Sequence, residues 1–200
     1  MKHVKKYLLP NKDKKMYSPA GVQGLWKKAV EKAGTIQAVF DNQNTYRTEI
    51  ELFYSSAFVI AIYKWSGRKF YMYPSDSPDV HLLETVNGRQ EGFSIEIMTL
   101  FNYGQIVFDN NYKLLAEKVW QDKGNTDYDR TDLLLVSRLT GEIDVDKFVR
   151  ELNIFKWKFI RIWLIIYDGQ NRIWTIFDLS PPAGQNSSGQ ISVLLEDLPY

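Results

Sequence analysis

Apolar and polar residues follow two different periods along this chain, and the changes of period divide it into elements. Residues 19–33 have apolar side chains at helical spacing. Ser18 can cap that helix, Pro19 suits its first position, and Gly34 stops it. The polar loop FDNQNTY follows, and then a second helix is predicted from about Tyr46 to Trp65. Leu52, Phe53, Phe58, Val59, Ile60 and Ile62 make that helix largely buried, although its FVIAIY portion fits a strand equally well by periodicity.

The period then drops to two. PDVHLLE and FSIEIMTL flank VNGRQEG, whose Asn87-Gly88 pair suits a tight turn, so the three together predict a hairpin. A helix follows over 109–123 with Leu115, Ala116 and Val119 as its apolar stripe. TDLLLVSRL is apolar through its centre, as a strand buried on both faces would be. IDVDKFVREL predicts a helix opened by Asp144, and FIRIWLIIY and RIWTIFDL predict two strands joined by DGQN. PPAGQNSSGQ reads as a loop, with ISVLLEDLPY adding an edge strand. No internal repeat interrupts this order. Helix, hairpin, helix, strand, helix, strand implies an α/β domain with a mixed sheet and helices on both faces. The expected organisation is a basic arm over 1–18, one α/β domain over 19–180, and a C-terminal loop and edge strand over 181–200.

Composition narrows the chemistry. The 200 residues suit one domain with a sizeable core, and 44% hydrophobic with 14% aromatic residues argues against disorder. With no cysteine, thiolate metal sites, disulfides and cysteine nucleophiles are excluded; two histidines, His3 and His81, are too few for a multi-histidine zinc site. Any metal would be a hard cation held by oxygen. The apolar stub after MKHVKK is shorter than the roughly 7–15 residues of a secretory core, and AFVIAIY and IWLIIY are too short to span a membrane. The expectation is a cytoplasmic protein with no membrane partner. Nine lysines in residues 1–32 against Asp13 and Glu31 give +7 there and −6 over the rest. Such an arm either contacts phosphates or simply solubilises the terminus.

The hairpin carries the candidate site. Ser94, Glu96 and Met98 share one strand face, and Ile95, Ile97 and Thr99 take the other. Asp79 stands at the mouth of the partner strand after Pro78. Two carboxylates so placed repel each other unless a cation lies between them, and Mg²⁺ accepts such oxygens together with its own waters. A metal held there can acidify a water and neutralise charge on a phosphodiester.

Pro78-Asp79, Glu96-x-Met98 and their place among the predicted elements resemble the PD-(D/E)XK nuclease superfamily, over roughly residues 45–167. The resemblance implies a restriction-endonuclease-like mixed sheet flanked by helices and a Mg²⁺- or Mn²⁺-dependent DNA endonuclease. Asp79 and Glu96 would hold the metal, and Glu49 or Glu51 from the preceding helix would assist. The partner implied is nucleic acid, double-stranded DNA, cut by a homodimer. The departure is Met98, where the superfamily has a lysine; a thioether neither carries charge nor donates. Some branches supply that lysine from the following helix, and Asp109-Asn-Asn-Tyr-Lys113 offers Lys113, with Lys118 behind it. The alternative is the same fold without catalysis, serving as a nucleic-acid-binding or assembly subunit.

Plainer readings stand beside these. Asp79 could be a surface turn residue, Glu49 and Glu51 first-turn helix acids, Lys113 an exposed helix lysine and His81 a satisfied histidine. Trp157, Trp163 and Trp174 could stack bases, with core packing the expected role for two of them. Asp127, Asp129 and Asp132 read as loop acids capping the next strand, since a calcium loop would need a Gly and a terminal Glu that are absent. Phosphate-binding glycine loops and the nucleophile elbow of serine hydrolases are also missing.

Overall fold

The computed structural model describes residues 15–101, 108, 110–124, 130–139, 142–168, 171, 173–180 and 190–194. Five helices and seven strands follow one another along these residues. They are α1 Pro19–Ala33, α2 Ile36–Asp41, α3 Arg47–Ser66, β1 Tyr71–Pro74, β2 Val80–Val86, β3 Arg89–Leu100, α4 Tyr112–Lys123, β4 Thr131–Ser137, α5 Val145–Leu152, β5 Ile162–Asp168, β6 Ile173–Asp178 and β7 Gln190–Leu194. The strands form one sheet in chain order. β3, β4 and β5 are parallel, and every other neighbouring pair is antiparallel. The α/β class and mixed sheet expected from the sequence are therefore present.

Local signals explain most boundaries. Ser18 Oγ accepts from Gly21 N–H at the start of α1, and Gly34, at φ 89°, closes it. The hairpin turns at Asn87 and Gly88, both with positive φ, which matches the right-handed twist of the strands they join. FVIAIY lies within α3, where eleven residues between Ile50 and Ile62 are buried. α3 is apolar around its circumference because it lies between the sheet and α1.

The two faces of the sheet bury separate cores. On one, α1, α2 and α3 pack against Ile95, Leu134, Val136, Trp163, Ile165 and Trp174. On the other, α4 and α5 pack against Met98, Leu100, Leu133, Leu135 and Leu164. Alternation of the β3 side chains to opposite faces holds: Ile95 and Ile97 face the α3 side and Met98 the α4 side.

Several expectations are corrected. β1 and α2 have no counterpart in the sequence-level division. Asp132 is a buried residue of β4, not a loop acid, and it accepts from Trp163 Nε1 at 2.8 Å. Asp127 and Asp129 fall outside the described residues, as do Asp109 and residues 1–14 of the basic arm. The end of that arm is attached to the sheet: Tyr17 exchanges two 2.8 Å backbone hydrogen bonds with Met72 of β1.

Candidate functional site

Asp79 precedes the first residue of β2, and its position follows from where that strand begins. Ser94 N–H points toward the β4 side, donating to Arg130, so alternation turns Ile95 and Ile97 N–H toward β2. The β2–β3 register ends at Val80 opposite Ile95, leaving Ile97 N–H beyond the ladder. Asp79 Oδ2 accepts that amide at 2.7 Å, and Oδ1 accepts from Arg47 Nη2 at 2.8 Å. Asp79 is 4% exposed. The surface-turn alternative therefore fails for this residue.

Arg47, on the first turn of α3, also donates from Nε to Glu51 Oε1 at 2.6 Å. Its guanidinium thus bridges one carboxylate of α3 and one at the start of β2. Glu51 is pushed up to about 7, mainly by burial; Arg47 opposes the shift, and the charges of Asp79 and Glu96 add to it. Glu49 lies two residues away on the helix, half-buried.

Glu96 extends from β3 on the α4 side. It is 6% exposed, and Lys123 Nζ donates to its Oε1 at 2.5 Å. Its Oε2 is buried with no hydrogen-bond partner among the described residues. Burial raises its pKa; the Lys123 bond opposes that rise and the Asp79 charge adds to it. Glu51, Asp79 and Glu96 therefore form one electrostatic group, attended by Arg47 on one side and Lys123 on the other.

The lysine that meets Glu96 is Lys123, from the last turn of α4. Lys113 is exposed on the first turn of α4, and ten residues along a helix separate the two by about 15 Å. α4 leaves the end of β3 and returns antiparallel to it, so its last residue, not its first turn, comes back beside Glu96. Asn111 fixes the start of α4 by accepting from Leu114 N–H at 3.1 Å. Gly124 fixes its end. A Cβ at residue 124 would lie 2.3 Å from the Trp120 ring, which is stacked on Phe155 at 5.3 Å. Lys118 is occupied elsewhere, 2.7 Å from Asp122.

Met98 is 6% exposed within the core beneath α4 and α5, so position 98 is an apolar packing position here. His81 Nδ1 lies 2.7 Å from Ser94 Oγ, consistent with a satisfied histidine. Trp163 packs in the core against Phe58 at 5.2 Å, and half-buried Trp157 donates to the Leu152 carbonyl at 2.8 Å.

Comparison with family models, with curated proteins and with solved structures gave no match. No helix among the described residues is long and apolar enough to cross a membrane.

The donors present suit a hard cation held by few protein ligands. Among the described residues no group of three histidine, cysteine or acidic side chains converges as a metal cage. Mg²⁺ commonly uses only one or two carboxylates and keeps several waters. The unpartnered Oε2 of Glu96 is the observation favouring such an ion, because a buried carboxylate oxygen left unsatisfied is costly.

Proposed function

We propose that this chain is a divalent-metal-dependent endonuclease of restriction-endonuclease-like architecture, hydrolysing phosphodiester bonds in DNA. The observation that carries the reading is Glu96: a buried acid with one oxygen on Lys123 and the other unpartnered among the described residues, in electrostatic contact with Asp79 and Glu51. Structural ion pairs rarely leave an oxygen so buried and unused. Asp79 and Glu96 would hold Mg²⁺ or Mn²⁺, with Glu51 as the assisting acid. When bound, the metal supplies charge neutralisation at the phosphate and a more acidic water.

The chain's own groups have separable tasks in this reading. Lys123 holds Glu96 toward its charged form and brings a positive donor to the place where phosphate charge develops. Arg47 holds Glu51 and Asp79 in register and, being exposed, is available to a phosphate oxygen. Glu51, with a pKa near neutrality, is suited to taking a proton from an attacking water. Hydrolysis then needs no covalent intermediate. Dimerisation and the choice of duplex DNA rest on the superfamily resemblance.

Arg47 also favours a second reading. Its guanidinium already neutralises Asp79 and Glu51, as a metal would, and a chain satisfied this way could bind nucleic acid or serve an assembly without cutting. Incubation of supercoiled plasmid with Mg²⁺, Mn²⁺ or chelator, alongside a gel-shift assay, separates the two. Metal-dependent nicking supports the nuclease, whereas a shift without nicking in any metal supports the silent binder.

A further inference from the structure

A second concave site lies away from the carboxylates. It is a cavity of about 560 Å³ on the α1–α3 side of the sheet, at the C-terminal end of β4. Ser137 on its rim is four β4 residues past Leu133, the partner of Glu96, or roughly 13 Å along the strand. Its walls are aromatic: Trp26, Phe40, Phe53, Tyr54, Tyr167 and Trp174. Trp26 stacks on Phe53 with centroids 4.2 Å apart, and Tyr167 leans on Trp174 at 4.6 Å, so both walls are braced.

Two features give this cavity a chemical preference. Two cations, Lys27 and Arg138, line the cavity, and no acidic side chain does so among the described residues. Arg138 is steadied over the Phe40 ring at 4.5 Å, and burial pushes the Tyr54 phenol up to about 12, so it stays neutral. Phe40 and Arg138 also border an adjoining recess lined by Asn42, Asn44 and Thr45, whose polar groups suit hydroxyls. Asp41 faces that recess with its carboxylate held by Gln37 at 2.7 Å, which favours the Lys27 side for an anion.

We infer that this cavity binds a nucleotide unit, with the base against the aromatic walls and the phosphate at Lys27 and Arg138. Stacking on aromatic rings tolerates any base, so the preference is for the class and not for one sequence. The unit comes either as a free mononucleotide or as a base turned out of a strand. This inference stands apart from the carboxylate site and needs no metal.

Calorimetry in chelator on the full chain tests it. The probes are AMP, thymidine monophosphate, adenosine, inorganic phosphate and a short single-stranded oligonucleotide. The expected result is binding of the monophosphates, weaker binding of adenosine and still weaker binding of phosphate. Arg138→Gln, at an exposed position, should weaken the monophosphates by roughly 3- to 10-fold and leave adenosine nearly unchanged. Trp26→Leu, which removes a half-buried aromatic wall, should weaken both by roughly 5-fold or more. Oligonucleotide binding alone, lost in both variants, assigns the site to a base within a strand. No binding by any monophosphate or oligonucleotide would overturn the inference. So would binding that both folded variants retain, or phosphate binding as tight as AMP.

Discussion

Lys123 and Glu96, 27 residues apart in sequence, meet at 2.5 Å between the end of α4 and the middle of β3. The lysine holds the acid toward its charged form against burial and against Asp79. Lys123→Met should therefore raise the Glu96 pKa, read by carboxyl-carbon NMR. It should also lower nuclease activity by on the order of 100-fold. Lys113→Ala should leave both unchanged. Equal losses in the two variants would contradict this assignment.

A lysine at position 98, as in the superfamily that the sequence resembles, should harm this chain. Met98 fills the core beneath α4 and α5, so Met98→Lys would place an ammonium among Leu100, Leu115 and Leu135. Urea unfolding should show a loss of at least about 2 kcal/mol, with no gain in cleavage. A stable and more active variant would show that position 98 faces the site.

Arg47 competes with any cation for Asp79 and Glu51. Arg47→Ala should push the Glu51 pKa above about 7, because the guanidinium is what opposes its rise. Mn²⁺, followed by electron paramagnetic resonance above pH 8, should bind the variant several-fold more tightly than the parent. Weaker binding would mean that the register Arg47 imposes on the two carboxylates outweighs its competition with the metal.

Asp132 gives stability a pH dependence of its own. Burial lifts its pKa to about 6, against the Trp163 hydrogen bond, from an ordinary value of 3.8. The folded state holds the proton more tightly, so this contribution is complete below about pH 4 and is lost as pH rises through 6. Asp132→Asn can keep the Trp163 bond through its carbonyl. Relative to the parent it should gain on the order of 3 kcal/mol between pH 4 and pH 7.5 in urea unfolding. Parallel curves would show that the buried acid does not titrate there.

Much of this architecture was legible as pattern. Ser18-Pro19 and Gly34 bracket α1, and Asn87-Gly88 turns the hairpin, because caps and turns are decided by a few adjacent residues. β1 was not legible: Tyr71–Pro74 is only four residues long, and its sequence YMYP shows no alternation of apolar and polar residues. Asp79 and Glu96 were found because strand alternation and the mouth of a hairpin are local geometry. Lys123 was not, since its contact depends on the direction in which a crossover helix returns. The sequence pattern D-x-x-x-K drew attention to the first turn of α4, whereas the lysine that contacts Glu96 lies at its other end. Arg47 was missed for a related reason: nothing near it in sequence reveals a partner 32 residues on. Asp132 looked like one of three loop acids because its indole partner lies on another strand.

The central claim is that Glu96 and Asp79 act together on a phosphodiester through a divalent metal. Cleavage of supercoiled plasmid in Mg²⁺ or Mn²⁺ by the parent, Glu96→Gln and Asp79→Asn, each confirmed folded by circular dichroism, tests it most directly. Nicked and linear products are expected from the parent, none in chelator, and at least about a 100-fold loss in each variant. Parent-level cleavage by either variant, or no cleavage by the parent in any metal, would contradict it.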